Sequence, residues 1–388
     1  MARTHSYAPP RRGLFTSRAW TALVVLTAFA AALPLLNVFV PADSALHVSA
    51  YAIALIGKFM CYAIAALALD LVWGYTGILS LGHGLFFALG GYAHGMYLMR
   101  AIGREGAYQS DLPDFMVFLD WKAYPWYWSF TDQWLYAMLL VVLVPGVLAF
   151  VFGFFAFRSR IKGVYFSIIT QALTFAAMLL FFRNNTGFGG NNGFTDFKRV
   201  LGFPITAPST RAALYLITLA VLVGAFIGAR LLVRSKFGRV LTAVRDAESR
   251  LMFVGYDQLW FKLFVWVGSA VLCGIAGALY VPQVGIINPG EMSPANSIEM
   301  VIWVATGGRG TLIGPIVGAF AVNGLKTWLT TTFPEVWLYA LGLVFVLVTL
   351  FLPQGLVGLF NRLTQKRRSA AEPSAPVVAA SRPIGTQS

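Results

Sequence analysis

Charge is scarce in this chain: Asp, Glu, Lys and Arg make up 11% of its 388 residues, while 58% are hydrophobic. A soluble domain carries about 25% charged residues, so this composition cannot clothe a water-facing surface, and the chain belongs in a membrane. Cysteine is nearly absent. Cys61 and Cys273 each sit inside an apolar run, which excludes a disulfide framework and a Cys-based metal site. Also missing are the GxxxxGK[ST] loop of P-loop ATPases and the HExxH, CxxC and GxSxG signatures. The four histidines, His5, His47, His83 and His94, are dispersed. The last two would lie about 16 Å apart on one helix, too far to share a metal. No catalytic residue, cofactor or metal is expected.

What is present is a series of long, weakly charged apolar runs, over 20–40, 51–73, 77–99, 134–157, 163–182, 212–233 and 263–281. A stretch over 298–329 is broken by Gly307-Gly308-Arg309-Gly310, and a last run covers 336–356. Each unbroken run is long enough to cross a hydrocarbon core of about 30 Å as a helix. None alternates as a β-barrel strand must. With the broken stretch taken as two short helices, the expectation is an all-α, polytopic protein of about ten transmembrane helices.

The net charge of +14 would suggest nucleic acid in a soluble protein. Here the basic residues cluster at 3–18, 158–162, 234–262 and 362–368, which puts those segments and both termini on the cytoplasmic side by the positive-inside rule. Residues 1–19 are read as a cytoplasmic segment before a retained first helix, 20–360 as the membrane domain with a cytoplasmic loop at 234–262, and 361–388, rich in Ala, Pro and Ser, as a disordered tail.

Three features exceed mere apolarity. The run GYTGILSLGHGLFFALGGY at 74–92 gathers six glycines with Tyr75, Thr76, Ser80 and His83. Its small residues suit close helix packing, and its polar groups suit a water-filled path, since irregular polar backbone at membrane depth must be buried or line a cavity. The segment GRVLTAVRDAESRLMFVGYD at 238–257 reads as two short amphipathic helices that either lie on the membrane surface or insert into a groove on a cytoplasmic partner. The Gly and Pro interruptions across 285–315 break a span, as transport sites often do. Lys58, Asp70 and Glu299 fall within or beside apolar spans and need partners or the interface.

These three stretches, with KLFVWVGSAVLCGIAGALY and GGRGTLIGPIVGAF, closely resemble the branched-chain amino-acid type permeases of bacterial ABC importers over roughly residues 48–360. GFGGNNGFTDFK at 187–198, NPGEMSPANSIEMVIWVATGGRG at 288–310 and the 74–99 run look like the urea-importer branch of that family. The resemblance implies the ABC importer permease fold in a bacterial inner membrane. Its implied partners are a second homologous permease, two cytoplasmic ATPase subunits, a periplasmic substrate-binding protein and membrane lipid, with no nucleic acid. It also implies an ATPase-coupling loop resembling the EAA-type loop, with Arg245, Asp246, Ala247, Glu248 and Gly255 at its heart. Asp246-Ala247-Glu248 stands where many relatives have a Glu-Asn-Glu-like run.

The expected function is therefore a permease subunit importing urea or a close small amide, not an enzyme, with ATP hydrolysis in separate subunits. The alternatives are a branched-chain amino-acid permease and, from another class, a passive urea channel. A path for urea needs hydroxyls, amides and carbonyls, which makes Tyr75, Thr76, Ser80, His83, Asn191 and Asn192 its candidate lining. The two asparagines serve equally well as turn formers.

Overall fold

A computed structural model of the chain describes residues 17–336, except 42 and 45, together with scattered positions from 339 to 360. The expected N-terminal segment, the C-terminal tail and most of the last expected span lie outside the described residues. The long helices are α1 (Ser17–Phe39), α2 (Ala50–Thr76), α3 (His83–Arg100), α5 (Trp134–Arg158), α6 (Val164–Phe181), α7 (Pro208–Arg234), α8 (Lys236–Phe253), α9 (Gln258–Val284), α10 (Pro294–Gly307) and α11 (Ile313–Thr332). A short α4 (Asp114–Phe118) sits in the loop between α3 and α5. Two antiparallel ladders interrupt the all-α pattern: β1 (Phe194–Thr195) pairs with β4 (Ile286–Ile287), and β2 (Arg199–Val200) with β3 (Phe203–Pro204).

Among the described residues, six helices are long and apolar enough to cross a membrane: Ala19–Phe39, Ala50–Thr76, Trp134–Arg158, Val164–Phe181, Pro208–Arg234 and Gln258–Val284. The count of about ten is not reproduced among the described residues, for identifiable reasons. The expected third span starts at His83, not Gly77, because Gly77 adopts φ +75 and closes α2 with its N–H on the Trp73 carbonyl. Residues 77–82 are non-helical. The broken stretch is two separate helices, and α10, at 14 residues, is about 21 Å long, shorter than the hydrocarbon core.

The core sits where α2, α3 and α9 meet, and α1 is hardly buried at all. Lipid is as apolar as leucine, so close packing and polar links, not water exclusion, must hold these helices together. Glycine supplies the packing. A Cβ at Gly277 would collide with the Phe87 carbonyl, and one at Gly90 with the Gly274 carbonyl, so α3 and α9 touch backbone to backbone. The α10 and α11 pair is built alike, with Gly307 against the Gly314 carbonyl and Gly318 against that of Trp303. Trp266 on α9 packs against α3, α5 and α6, fully buried among the rings of Phe86, Phe157 and Phe166, with its indole N–H donated to the Ala149 carbonyl at 2.9 Å. The exposed apolar side chains of α1, α5 and α6, among them Phe29, Phe155 and Ile168, form the outer surface expected of a lipid-facing wall.

Candidate functional site

The segment after α7 turns at Ser235, whose hydroxyl caps α8 by accepting from the Gly238 N–H at 3.3 Å. Leu241 and Val244 bury one face of α8. At Ala247 the backbone leaves the helical region (φ −153, ψ 56), so α8 is two short helices joined at a kink, as its sequence implied. Beyond the kink the chain ends in an apolar tip: Met252, Phe253 and Val254 are exposed, Phe253 to 91%. Gly255 then reverses the chain at φ +86, a conformation that favours glycine.

Two polar clamps fix this segment. Glu248 receives Lys262 from α9 at 2.6 Å and Lys162 from the α5–α6 turn at 2.9 Å, and Gln258 donates to its backbone carbonyl. Burial pushes the Glu248 carboxyl up, but the two lysines outweigh it and hold the group below its ordinary value. Arg245 grips Asp246 with Nε at 2.8 Å and Nη2 at 3.2 Å, and its Nη1 donates to the Gly74 carbonyl at 2.6 Å. This contact joins α8 to the end of α2, beside which the glycine turn of α10–α11 is docked. The Tyr75 hydroxyl donates to the Gly310 carbonyl at 2.9 Å. Asp70, fully buried, accepts from the N–H groups of Gly310 at 2.6 Å and Leu312 at 3.3 Å. The partner that Asp70 needed is thus the backbone of a turn in which Gly308, Gly310 and Leu312 all have positive φ.

Residues 78–82 run without helical hydrogen bonds, and two of their backbone groups are satisfied from α6. The Ser167 hydroxyl donates to the Leu79 carbonyl at 2.8 Å, and the Leu81 N–H donates to the Thr170 hydroxyl at 3.1 Å. His83 begins α3 with its ring fully buried. Its Nε2 lies 2.8 Å from the Ser269 hydroxyl, and that hydroxyl donates to the Ala68 carbonyl. Ser269 therefore accepts from Nε2–H, leaving Nδ1 to accept from Ser80 at 3.1 Å. The Ser80 oxygen accepts in turn from the Gly82 N–H at 3.1 Å. The chain Gly82–Ser80–His83–Ser269–Ala68 ties α3 to α9 and α2 and uses both ring nitrogens internally.

The six expected lining residues do not form one site. Tyr75 and Thr76 lie at the α8 end of α2, where Thr76 bonds back to the Val72 carbonyl at 2.6 Å. Ser80 and His83 are sealed in the interior, and Asn191 and Asn192 are exposed on a turn before β1. What the sequence reading missed is Lys326. It pairs with Glu299 at 2.8 Å across α10 and α11 and gives that acid its partner. The signal was a lone lysine inside an otherwise apolar run. Lys58, expected to need a partner or the interface, instead places its ammonium 5.6 Å from the Tyr62 ring centroid and 5.9 Å from that of Tyr280.

A helical membrane chain with buried intramembrane charges and an amphipathic helix projecting beyond the bundle has the build of a transport permease. The family model described as branched-chain amino acid transport system / permease component matches residues 51–352, and the chain belongs to that family. It is 26% identical over 335 residues to the high-affinity branched-chain amino acid transport system permease protein LivM of Escherichia coli, covering 81% of this chain and 71% of that protein. It is 25% identical over 322 residues to the probable branched-chain amino acid transport permease protein LivM of Methanocaldococcus jannaschii, covering 77% and 91%. A shorter likeness, 27% over 149 residues, links it to the ribose import permease protein RbsC of Bacillus subtilis, over 37% of this chain and 44% of that protein. No solved structure matches.

Proposed function

We propose that this chain is one of two homologous permease subunits of an ATP-driven importer in a bacterial inner membrane, with the α8 side cytoplasmic. The observation that carries this reading is α8 itself: a kinked amphipathic helix outside the bundle, clamped at Glu248 and Arg245, with an apolar tip at 252–254 that has no partner in this chain among the described residues. Such a tip suits a groove on a cytoplasmic ATPase, and the sequence carries no P-loop of its own. ATP-driven movement of the partner would pass through Arg245 to Gly74, and so to the α2 end and the α10–α11 turn, shifting the bundle between outward and inward states.

The solute is urea or a close small amide. The support is the wording of 74–99, 187–198 and 288–310, which resembles the urea-importer branch. Branched-chain amino acids are the second reading, favoured by the names of the LivM relatives. The two are separated by uptake of labelled urea into vesicles holding this chain, its second permease, ATPases and binding protein. Competition by short amides but not by excess leucine supports urea, and the reverse pattern supports the amino acids. A passive channel predicts urea flux from the purified chain alone, without ATP.

A further inference from the structure

The turn between α5 and α6 forms one wall of a cavity of about 520 Å³, and the return from α8 into α9, at Gly255 and Tyr256, forms another. Four basic side chains line it, Arg158, Arg160, Lys162 and Lys262, against two carboxylates, Glu248 and Asp257. The lining thus carries an excess of positive charge. Glu248 is engaged by the two lysines, and Asp257 caps α9 by accepting from the Leu259 N–H at 3.0 Å. Arg158 and Arg160 are left with no ion pair among the described residues.

Arg160 holds its place against a backbone preference. α5 ends in a Schellman turn, in which the N–H groups of Arg160 and Ile161 donate to the carbonyls of Phe157 and Ala156, each at 3.1 Å. The residue at this point of the turn takes a left-handed backbone, φ +57 here, which favours glycine. An arginine stands there instead, and it lines the cavity.

Next to the cavity the surface turns apolar. A groove of about 580 Å³ runs along α9 from Trp260 to Gly268, about 12 Å, and is completed by Phe150 of α5 and Phe237 of α8. It lies on two of the membrane-crossing helices, and Phe150, Trp260 and Phe264 are exposed along it, so it opens toward lipid. One pair of rings joins the two features. The Trp260 ring lies 6.4 Å from that of Phe154, and the Arg158 guanidinium stands 5.7 Å from the Phe154 ring centroid.

We infer that cavity and groove form one site for an anionic phospholipid, with its phosphate at Arg158 and Arg160 and an acyl chain in the groove beside Trp260. Unpaired cations at the end of a membrane span, with an apolar channel leading away from them into the span, match a phospholipid at its headgroup boundary. An acidic protein segment would satisfy the arginines but leave the lipid-facing groove unused. The inference needs α5 and α9 to cross the bilayer and does not depend on the importer reading.

The test uses the purified full chain in detergent, titrated with phosphatidylglycerol or phosphatidylcholine of identical acyl chains and read by native mass spectrometry. Phosphatidylglycerol should bind more tightly. Arg158→Gln combined with Arg160→Gln should remove that preference, a loss of about thirtyfold at about fivefold for each arginine. Gly268→Leu tests the groove: a Cβ there meets nothing within 4 Å, so the added side chain fits the fold and fills the groove. It should weaken both lipids alike by about tenfold, with the melting temperature unchanged. Equal affinity for the two lipids, or a preference that survives loss of both arginines, overturns the site. Displacement of phosphatidylglycerol by excess inorganic phosphate, with Gly268→Leu without effect, leaves only a free-anion site and overturns the lipid assignment. Loss of ATPase co-purification in the arginine variant, with its lipid preference intact, gives the cavity to an acidic segment of a protein partner and overturns it too. Should the arginine variant fail to fold, lipid binding unchanged in Gly268→Leu is sufficient to overturn the site.

Discussion

Asp70→Ala tests how the turn between α10 and α11 is held. The carboxylate is fully buried and accepts the N–H groups of Gly310 and Leu312, which belong to a turn with three positive-φ residues. Removing it leaves two buried donors unsatisfied, at about 1–3 kcal/mol each. Part of that loss is offset because a buried carboxylate no longer has to be desolvated. The net expectation is a destabilisation of about 2–4 kcal/mol. Asp70→Asn keeps one acceptor and should cost roughly half as much. The assay is unfolding of the purified chain in detergent, followed by near-ultraviolet circular dichroism against denaturant, with Tyr75→Phe as a milder comparison that removes only the hydroxyl bonded to Gly310. Unfolding of Asp70→Ala within about 0.5 kcal/mol of the unaltered chain would refute the reasoning, because a substitution free of such mechanisms stays in that range.

Other expectations follow from the two clamps and the apolar tip. Glu248 has its pKa held below the ordinary 4.5, so its ion pairs stabilise the fold fully above about pH 4.5 and are lost as pH falls below it. The stability difference between the unaltered chain and Glu248→Gln should therefore be flat from pH 7 to 5 and shrink below 4.5; a difference already shrinking at pH 6 contradicts the assignment. Glu248→Lys places three lysines together and should lower uptake and ATPase stimulation while membrane insertion persists, which fractionation and uptake assays would check. Phe253→Asp charges the exposed tip and should weaken co-purification of the ATPase about tenfold or more, with the chain's own melting temperature unchanged. His83→Ala removes the acceptor of the Ser80 hydroxyl and the donor to Ser269, leaves a cavity in the interior, and should destabilise the chain by about 2–4 kcal/mol in the same unfolding assay, with little change in KM for whatever uptake remains.

Much of the helical frame was legible in the sequence because it rests on local apolar runs: α5, α6 and α9 lie where those runs lie. The two-part character of the segment at 238–257 was legible too, as two short amphipathic helices, although the position of the kink, at Ala247, was not. What was not legible depends on contacts far apart in the chain. Residues 77–82 read as the start of a span, yet hydroxyls of Ser167 and Thr170 make an extended path affordable there. His83 looked equally suited to a water path, and only its distance to Ser269, 186 residues away, makes it a lock between helices. The sequence raised the need of Asp70 and Glu299 for partners without naming them, because the partners are a backbone turn 240 residues on and a lysine on the next helix.

The most direct measurement is uptake of labelled urea into vesicles containing this chain with the proposed second permease, ATPases and binding protein, with ATP and each subunit withheld in turn. Uptake that requires ATP and this chain, and that collapses in Glu248→Lys, is the predicted result. Urea flux through this chain without ATP or partners would contradict the coupling role of α8 and leave a passive channel in its place.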